Sequence, residues 1–213
     1  MALEIPDVVI DRLPVYARAL ALLEGEGREV VNSQELGERL GVTPAQIRKD
    51  LSYFGRFGKQ GRGYNVSRLH QELRQILGLT HEWPLILVGV GQLGRAIVGY
   101  AGFAPQGFRI IEAFDADATK IGSKLDHLTV RAIDSVSEVL RKRPAEIAIV
   151  AVPAASAQEV IDLLVANGVK AILNYAPIAA HAPSHVRIKD IDPVLALQSM
   201  TFYIKAQGGP SAK

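Results

Sequence analysis

The sequence predicts an α/β fold with an N-terminal winged helix-turn-helix domain, a Rossmann-type doubly wound parallel sheet and a C-terminal helix. Three observations predict this architecture. A basic, glycine-rich segment, IRKDLSYFGRFGKQGRGYNV, follows two short segments with helix-capping residues. The apolar segment PLILVGV runs into the glycine-rich loop GVGQLG, after which strand-like and helix-like segments alternate. Finally, the chain ends in a helix with apolar residues around most of its circumference.

Length and composition narrow the class of protein. The chain has 213 residues, enough for one large domain or two small ones, and 48% of them are hydrophobic, so a sizeable core can be buried. The sequence has no apolar run of the roughly 18 residues that span a bilayer, and its N-terminus is acidic rather than basic. It contains no cysteine, which excludes disulfides, thiol catalysis and cysteine-bound zinc. We therefore expect a cytoplasmic protein with no membrane partner and no metal site.

The first eighty residues have the pattern of a helix-turn-helix. Apolar spacing predicts a helix over residues 6–23. Two short helices follow, with Asn32 and Thr43 as N-caps, and each cap is followed three residues later by Glu or Gln, as in a capping box. Gly41 can end the first of them, and Pro44 suits the first position of the second. The short glycine-containing turn between them is typical of DNA-reading motifs.

The second short helix is predicted to have a core face and a partner face. Ala45, Ile47, Leu51 and Phe54 can face the core. The side chains that can project toward a partner are Gln46, Arg48, Lys49, Ser52 and Tyr53.

The segment after this helix is predicted to be the wing. Its four glycines interrupt any helix, and Tyr64 and Val66 can form a short strand. Lys59 and Arg62 at its tip could reach a DNA groove or phosphates. Residues 43–74 carry seven bases against two acids, a concentration of positive charge that favours a polyanionic partner. A solvated basic face and a flexible linker are the alternatives. One further amphipathic helix is expected over 67–77, before the domain boundary.

The G-x-G-x-x-G loop predicts a dinucleotide site, because it follows an apolar strand and opens a helix. Gly89 makes the tight turn, Gly91 lets the backbone approach a pyrophosphate, and Gly94 packs helix on strand. Asp115 closes the next strand, where it can accept hydrogen bonds from the adenine ribose. Its charge would repel a 2′-phosphate, so NAD is favoured over NADP. A Rossmann domain without a ligand is the alternative. The remaining loop residues expected at the site are Val90, Gln92 and Leu93.

The rest of the chain alternates helix and strand, which implies parallel βαβ units. The expected elements are helix 92–100, strand 108–115, a helix to 140 capped by Ser135, strand 146–152, a helix to 165 capped by Ser156, strand 170–175 and a last strand within 185–192.

Catalysis is not expected. None of the five histidines lies in a recognisable catalytic pattern, and only about twenty residues follow the last strand, too few for a substrate domain. The dinucleotide is therefore interpreted as a signal. Two alternatives remain open, an NAD-dependent oxidoreductase and a CoA-binding regulatory module.

The terminal helix, expected over 193–205, is apolar on most sides and must be covered on more than one. A second subunit can pack on this helix, and packing on the chain's own sheet is the alternative. Its apolar residues are Val194, Leu195, Leu197, Met200, Phe202, Tyr203 and Ile204.

The motifs RKDLSYFG, ELRQILGL, VGVGQLG and NYAP, with a C-terminal ID…LQS helix, resemble the Rex family of bacterial redox-sensing transcriptional repressors. The resemblance covers nearly the whole chain. It implies a homodimer with exchanged, domain-swapped terminal helices that binds palindromic operator DNA and leaves it when NADH rises relative to NAD+. The implied domains are residues 1–79 for DNA, 80–190 for NAD(H) and 191–213 for dimerisation.

The resemblance also implies roles for individual residues. Arg48, Lys49, Ser52 and Tyr53 match the recognition-helix motif, and Arg62 with the wing glycines matches a minor-groove contact. Tyr100 matches a tyrosine near the nicotinamide, Asp192 an acid from the partner's terminal helix, and Arg18 a first-helix arginine that can pair with that acid. Pro193 departs from the family, which usually has a bulky apolar residue there. Asp192 and Pro193 can alternatively be a helix cap and first helical position. The remaining expected contacts are Gln46, Lys59 and Tyr64 for DNA and Val152, Pro153 and Asn174 for the dinucleotide.

Overall fold

The computed structural model describes residues 5–59 and 62–206, except for the side chain of Lys59. The chain divides into two compact units, Met1–His81 and Glu82–Lys213. The first unit is a winged helix, with a three-stranded antiparallel sheet in the order β1 (Val30–Val31), β3 (Gly63–Asn65) and β2 (Gly58–Lys59). Its elements are α1 (Asp7–Gly25), β1 (Val30–Val31), α2 (Ser33–Leu40), α3 (Pro44–Ser52), β2 (Gly58–Lys59), β3 (Gly63–Asn65) and α4 (Val66–Ile76).

The helix-turn-helix of this unit is built by the predicted caps. The Asn32 side chain accepts the Glu35 N–H at 2.9 Å, and the Thr43 hydroxyl accepts the Gln46 N–H at 3.2 Å. Gly41 ends α2 with a φ of 66°, a left-handed conformation that glycine adopts without strain. Gly41 and the Thr43 cap fix the turn between α2 and α3, while Asn32 fixes the start of α2.

A single apolar cluster holds the first unit together. Leu13 and Leu20 of α1 pack with Leu36 of α2, Ile47 of α3 and Leu73 of α4. Each of these side chains is almost fully buried, so the cluster fixes the positions of all four helices.

Two predicted details in the first unit are wrong. Val66 begins α4 and is buried, so β3 ends at Asn65, whose side chain caps that helix. Ala45 is exposed, and α3 reaches the core through Ile47 and Leu51.

The second unit is a doubly wound sheet whose strands lie in the order β10 (Arg187–Asp190), β9 (Ala171–Asn174), β8 (Ile147–Val150), β4 (Trp83–Val88), β5 (Phe108–Asp115), β7 (Leu128–Ala132) and β6 (Lys124–Leu125). All neighbouring strands are parallel except β6 and β7. Its elements are β4 (Trp83–Val88), α5 (Gln92–Val98), a 3-10 turn (Ala104–Gln106), β5 (Phe108–Asp115), β6 (Lys124–Leu125), β7 (Leu128–Ala132), a second 3-10 turn (Ile133–Ser135), α6 (Val136–Lys142), β8 (Ile147–Val150), α7 (Ala154–Ala166), β9 (Ala171–Asn174), β10 (Arg187–Asp190) and α8 (Pro193–Ala206).

The central strand β4 shows why the sheet is covered on both faces. Ile86 and Val88 belong to one apolar cluster, and Leu85 and Leu87 belong to another. Since successive side chains of a strand point to opposite faces, β4 contributes to two cores, as expected of a strand in a parallel sheet.

Three predictions in the second unit are corrected. Ser135 does not cap α6, because its hydroxyl donates to the Ala132 carbonyl within the preceding turn. Ser156 lies inside α7, which begins at Ala154 after Pro153. The helix predicted to reach residue 100 ends at Val98. Strand β7 was not predicted at all.

The terminal helix α8 does not pack on its own sheet. Every residue from Pro193 to Ala206 is exposed, and the large apolar side chains are 55–69% accessible. The alternative in which the sheet covers this helix is therefore wrong within the part of the chain that the structure describes. None of the helices in that part is both long enough and apolar enough to cross a bilayer.

Candidate functional site

The first candidate site is a groove of about 920 Å³ between α3 and the wing. Four of the predicted DNA-binding residues line it, namely Arg48, Ser52, Arg62 and Tyr64. Arg28 and Arg56 also line it, and sequence reasoning did not select them. The groove therefore combines four guanidinium groups, one of them paired with Glu35, with the aromatic rings of Phe57 and Tyr64, a composition suited to nucleic acid.

The remaining predicted DNA contacts are placed differently. Lys49 is exposed on α3 but does not line the groove, and Tyr53 is half-buried at the end of that helix. The Gln46 side chain donates to Asp50 at 2.7 Å, so its amide nitrogen is engaged inside the protein. The side chain of Lys59 lies outside the described residues.

A buried carboxylate anchors α3. Asp50 is fully buried and accepts two hydrogen bonds from the Arg12 guanidinium, at 2.6 and 2.8 Å. It also accepts the Tyr16 hydroxyl at 2.7 Å, in addition to the Gln46 amide. Because Arg12 and Tyr16 belong to α1, this network joins the first helix to the predicted recognition helix.

The hydrogen-bond partners of Asp50 favour the ionised form of its carboxylate. Burial acts to raise the pKa of this carboxyl, but the bonds from Arg12, Tyr16 and Gln46 outweigh burial and keep it below its ordinary value. Burial, followed by the bond to Asp50, raises the pKa of Tyr16. Asp50 is therefore ionised and fully hydrogen-bonded, as a buried charge must be.

The second candidate site is a cleft of about 750 Å³ at the carboxyl ends of β4, β5 and β8. In doubly wound sheets, ligands bind at this edge where the strand order reverses, here between β4 and β8. Seven predicted dinucleotide contacts line the cleft. They are Gly89, Gly91, Gln92, Leu93, Asp115, Val152 and Pro153.

Gly89 and Gly94 have the tight-turn and packing roles predicted for them, and the structure leaves open space beside Gly91. Gly89 has a φ of 97°, and a side chain there would collide with the Ala151 carbonyl. A side chain on Gly94 would collide with the Gly89 carbonyl, so helix α5 can approach the loop only without one. A Cβ on Gly91 would meet no protein atom within 4 Å, so this position opens into the cleft. Gly91 therefore leaves room for a ligand rather than for packing.

Asp115 ends β5 beside this loop. Its carboxylate accepts the Val90 N–H at 2.7 Å, the Asp117 N–H at 2.9 Å and the Lys120 ammonium at 3.1 Å. Burial acts to raise its pKa, but these donors hold it below its ordinary value. Val90 thus serves the site through its backbone, because its side chain is buried. Sequence reasoning missed Lys120, which also lines the cleft.

The five remaining predicted contacts do not line the cleft, namely Val90, Gly94, Tyr100, Asn174 and Asp192. Asn174 is buried, and its amide donates to the Ala176 carbonyl and to Asp190 while accepting the Ala176 N–H. Asn174 therefore holds the loop after β9. Tyr100 follows α5, is 61% exposed and contacts Phe103 edge-on.

The structure places Asp192 and Arg18, the acid and the arginine that the resemblance pairs, in different units of the chain. The Asp192 carboxylate accepts the Val194 N–H at 2.8 Å, so it caps α8, which begins at Pro193. The helix-cap interpretation of Asp192 is therefore the one that the single chain adopts. Arg18 is exposed on α1 in the other unit.

Family models match both units of the chain. Residues 4–52 match a model described as "Putative DNA-binding protein N-terminus", and residues 80–178 match "CoA binding domain".

Curated relatives match over almost the full length. A protein of Roseiflexus sp. (strain RS-1) is 56% identical over 94% of this chain and 91% of its own. One from Chloroflexus aurantiacus (strain ATCC 29366 / DSM 635 / J-10-fl) is 54% identical over 93% of this chain and 94% of its own. Each is named redox-sensing transcriptional repressor Rex.

Solved structures also match over almost the full length of the chain. The crystal structure of RSP in complex with β-NAD+ and operator DNA superposes with a TM-score of 0.91 at 35% identity, covering 96% of this chain and 94% of that one. RSP in complex with β-NADH gives a TM-score of 0.85 at 34% identity, covering 94% of each chain.

Proposed function

This chain belongs to the Rex family of redox-sensing transcriptional repressors, and we propose that it binds palindromic operator DNA as a homodimer and leaves that DNA when NADH binds. The observation that carries the proposal is the similarity of almost the whole chain to a repressor crystallised with both NAD+ and operator DNA. The arginine-lined groove and the glycine-lined cleft support it, since each has the chemistry that one of those two ligands requires.

The groove beside α3 is the proposed DNA surface. Arg48 and Ser52 lie on the helix that enters the major groove in helix-turn-helix proteins, and Arg62 lies in the wing. Arginine can read guanine or bind phosphate, and Lys49 is exposed on the same helix. We assign this output surface to residues 1–79, and a cytoplasmic location follows from its DNA target.

The cleft in the Rossmann unit is the proposed input, within residues 80–190. NADH and NAD+ are its ligands, with the pyrophosphate at Gly91 and the adenine ribose at Asp115. The dinucleotide acts by binding and is not turned over, so the protein is not an enzyme. Differential affinity of the two redox forms for two conformations is then sufficient to move the equilibrium.

The terminal helix is the proposed dimerisation element, within residues 191–213. A helix whose large apolar side chains are more than half accessible requires a cover, and exchange of α8 between two subunits supplies one. Leu197→Glu places a charge in that interface. We expect the variant to sediment as a monomer and to lose operator affinity, whereas a dimer of unchanged stability would contradict the exchange.

We propose that the switch uses Arg18, Tyr100 and Asp192. In the dimer, Asp192 of one subunit faces Tyr100 across the NADH-bound cleft, and it pairs with Arg18 in the form that binds DNA. A shift from 1:99 to 99:1 between such forms needs a differential affinity of about 5.5 kcal/mol. If Asp192 acts only as the helix cap, Asp192→Asn, which preserves capping, will leave NADH sensitivity unchanged.

One experiment separates this function from its alternatives. The operator DNA bound by RSP is titrated with the protein in a gel shift, with NADH, NAD+ or CoA added. We expect NADH to release the DNA at concentrations where NAD+ and CoA do not. Release by CoA would favour a CoA-binding regulator, in agreement with the family model that matches residues 80–178. Steady consumption of NADH with a carbonyl substrate would favour an oxidoreductase.

A further inference from the structure

Lys120 holds a position in the nucleotide cleft that the proposed function does not use. Its ammonium lies 3.1 Å from the Asp115 carboxylate and 3.5 Å from that of Asp117. All three residues line the cleft. Among the described residues that line the cleft, Lys120 is the sole cation, while the acids also include Asp134 and Glu159.

The three side chains form a cluster with a net charge of −1. Asp117 is fixed by Thr119, whose N–H and hydroxyl both donate to one carboxylate oxygen, leaving the other oxygen toward Lys120. The hydrogen bond to Asp115 raises the pKa of Lys120, so its charge is retained. Lys120 has three N–H donors, and the cluster directs two of them to carboxylates.

This arrangement can distinguish a hydroxyl from a phosphate. A ribose 2′-hydroxyl can donate to Asp115 and accept from the third N–H of Lys120. A 2′-phosphate carries up to two negative charges and would meet two carboxylates for one ammonium. In Rossmann folds that accept NADP, a basic side chain near the ribose accommodates that phosphate. Lys120 occupies a suitable position but has its charge already paired.

We propose that Lys120, Asp115 and Asp117 together set the choice between NAD(H) and NADP(H), with Lys120 as a 2′-phosphate ligand that the two carboxylates keep unavailable. This proposal rests on the proposed dinucleotide function. It predicts that removal of a carboxylate frees Lys120 to bind the 2′-phosphate. The resulting gain in NADPH affinity should require the Lys120 side chain.

The test measures NADH and NADPH affinity by calorimetry on the full-length protein. Asp117→Asn should lower the preference for NADH over NADPH on the order of tenfold, mainly by strengthening NADPH binding. Asp115→Asn combined with Asp117→Asn should lower it further. Adding Lys120→Met to either background should remove the gain in NADPH affinity. Asp126→Asn is the matched control, because it removes an exposed carboxylate that does not line the cleft.

The outcomes are distinguishable. If the wild type binds no NADH, the proposed function itself fails. If it binds NADH but Asp117→Asn leaves the NADH/NADPH ratio at the wild-type value, only the cluster proposal fails. A gain in NADPH affinity that persists after Lys120→Met would also overturn it. Asp117 is exposed, so its substitution tests the proposal even if the double variant does not fold.

Discussion

The groove beside α3 depends on a buried side-chain network, whereas the nucleotide cleft depends on backbone shape. In the groove unit, Asp50 joins α3 to α1 through Arg12 and Tyr16. In the cleft, Gly89 and Gly94 bring strand, loop and helix so close that no side chain fits between them. The difference indicates that the two sites fail for different reasons. Loss of one charge should disturb the first, and addition of one methyl group should disturb the second.

Glycine substitutions in the loop should have the largest effect. We expect Gly91→Ala to weaken NADH binding on the order of a hundredfold, because the methyl group projects into the cleft rather than into the protein. Its melting temperature should stay near that of the wild type. Gly89→Ala should instead lower stability, because its φ of 97° and the Ala151 carbonyl oppose a side chain.

Calorimetry with NADH and thermal denaturation separate these two effects. Equal loss of stability in both variants would contradict the assignment of Gly91 to ligand approach. Operator affinity in the absence of NADH serves as the internal control for an intact first unit.

Removal of the Asp50 charge should have the second-largest effect. Asp50→Asn leaves the partly buried Arg12 without its counter-ion, which should cost about 1–3 kcal/mol of unfolding free energy. Because α3 is then held less firmly, operator affinity should fall by about tenfold or more. Denaturant unfolding and DNA binding are the two measurements.

Glu26→Gln provides the control for this variant. It removes an exposed ion pair with Arg39 in the same unit, and such surface pairs contribute little. If Asp50→Asn and Glu26→Gln had the same small effect on operator affinity, the network would not orient α3.

Loss of one groove arginine should have a smaller effect. We expect Arg48→Ala to lower operator affinity by about tenfold, and the slope of log affinity against log salt should fall by about one if it binds phosphate. Arg68→Ala is the matched control, since that guanidinium lies on α4 beside Glu72 and does not line the groove. Identical salt slopes and affinities for the two variants would exclude the groove as the DNA surface.

The smallest effect is a dependence on pH. The folded state lowers the pKa of Asp50, so the stability from its ionised form is fully present above its ordinary value and is lost as pH falls through the lower folded value. The wild type should therefore lose its stability advantage over Asp50→Asn below about pH 4. A constant difference in melting temperature from pH 7 to pH 3 would contradict an ionised Asp50.

Local patterns allowed much of the fold to be predicted. The strand Phe108–Asp115 was predicted at its observed bounds, and the caps at Asn32 and Thr43 form as expected. Strand β7 was missed although Leu128 and Val130 alternate with polar residues.

Contacts over long sequence separations could not be predicted. Asp50 stands in a basic segment, and its partners Tyr16 and Arg12 lie 34 and 38 residues away along the chain. The hydrogen bonds of Asn174 could not be predicted either, since its partner Asp190 comes from the next strand. Residue type and spacing indicate which groups can bind a ligand. Tertiary packing decides which of those groups are already hydrogen-bonded within the protein.

If NADH releases the DNA by selecting a different conformation of the dimer, it should change the separation of the two α3 helices. Because the sequence contains no cysteine, Lys49→Cys provides one spin-label site per subunit, on the exposed surface of α3. The label-to-label distance is measured by pulsed electron paramagnetic resonance with NADH, with NAD+ and without ligand, all in the absence of DNA. We predict a distinct distance distribution with NADH, displaced from the one that fits adjacent major grooves roughly 34–36 Å apart. The same distribution in all three samples would show that NADH does not move the two α3 helices, and the proposed release mechanism would be wrong.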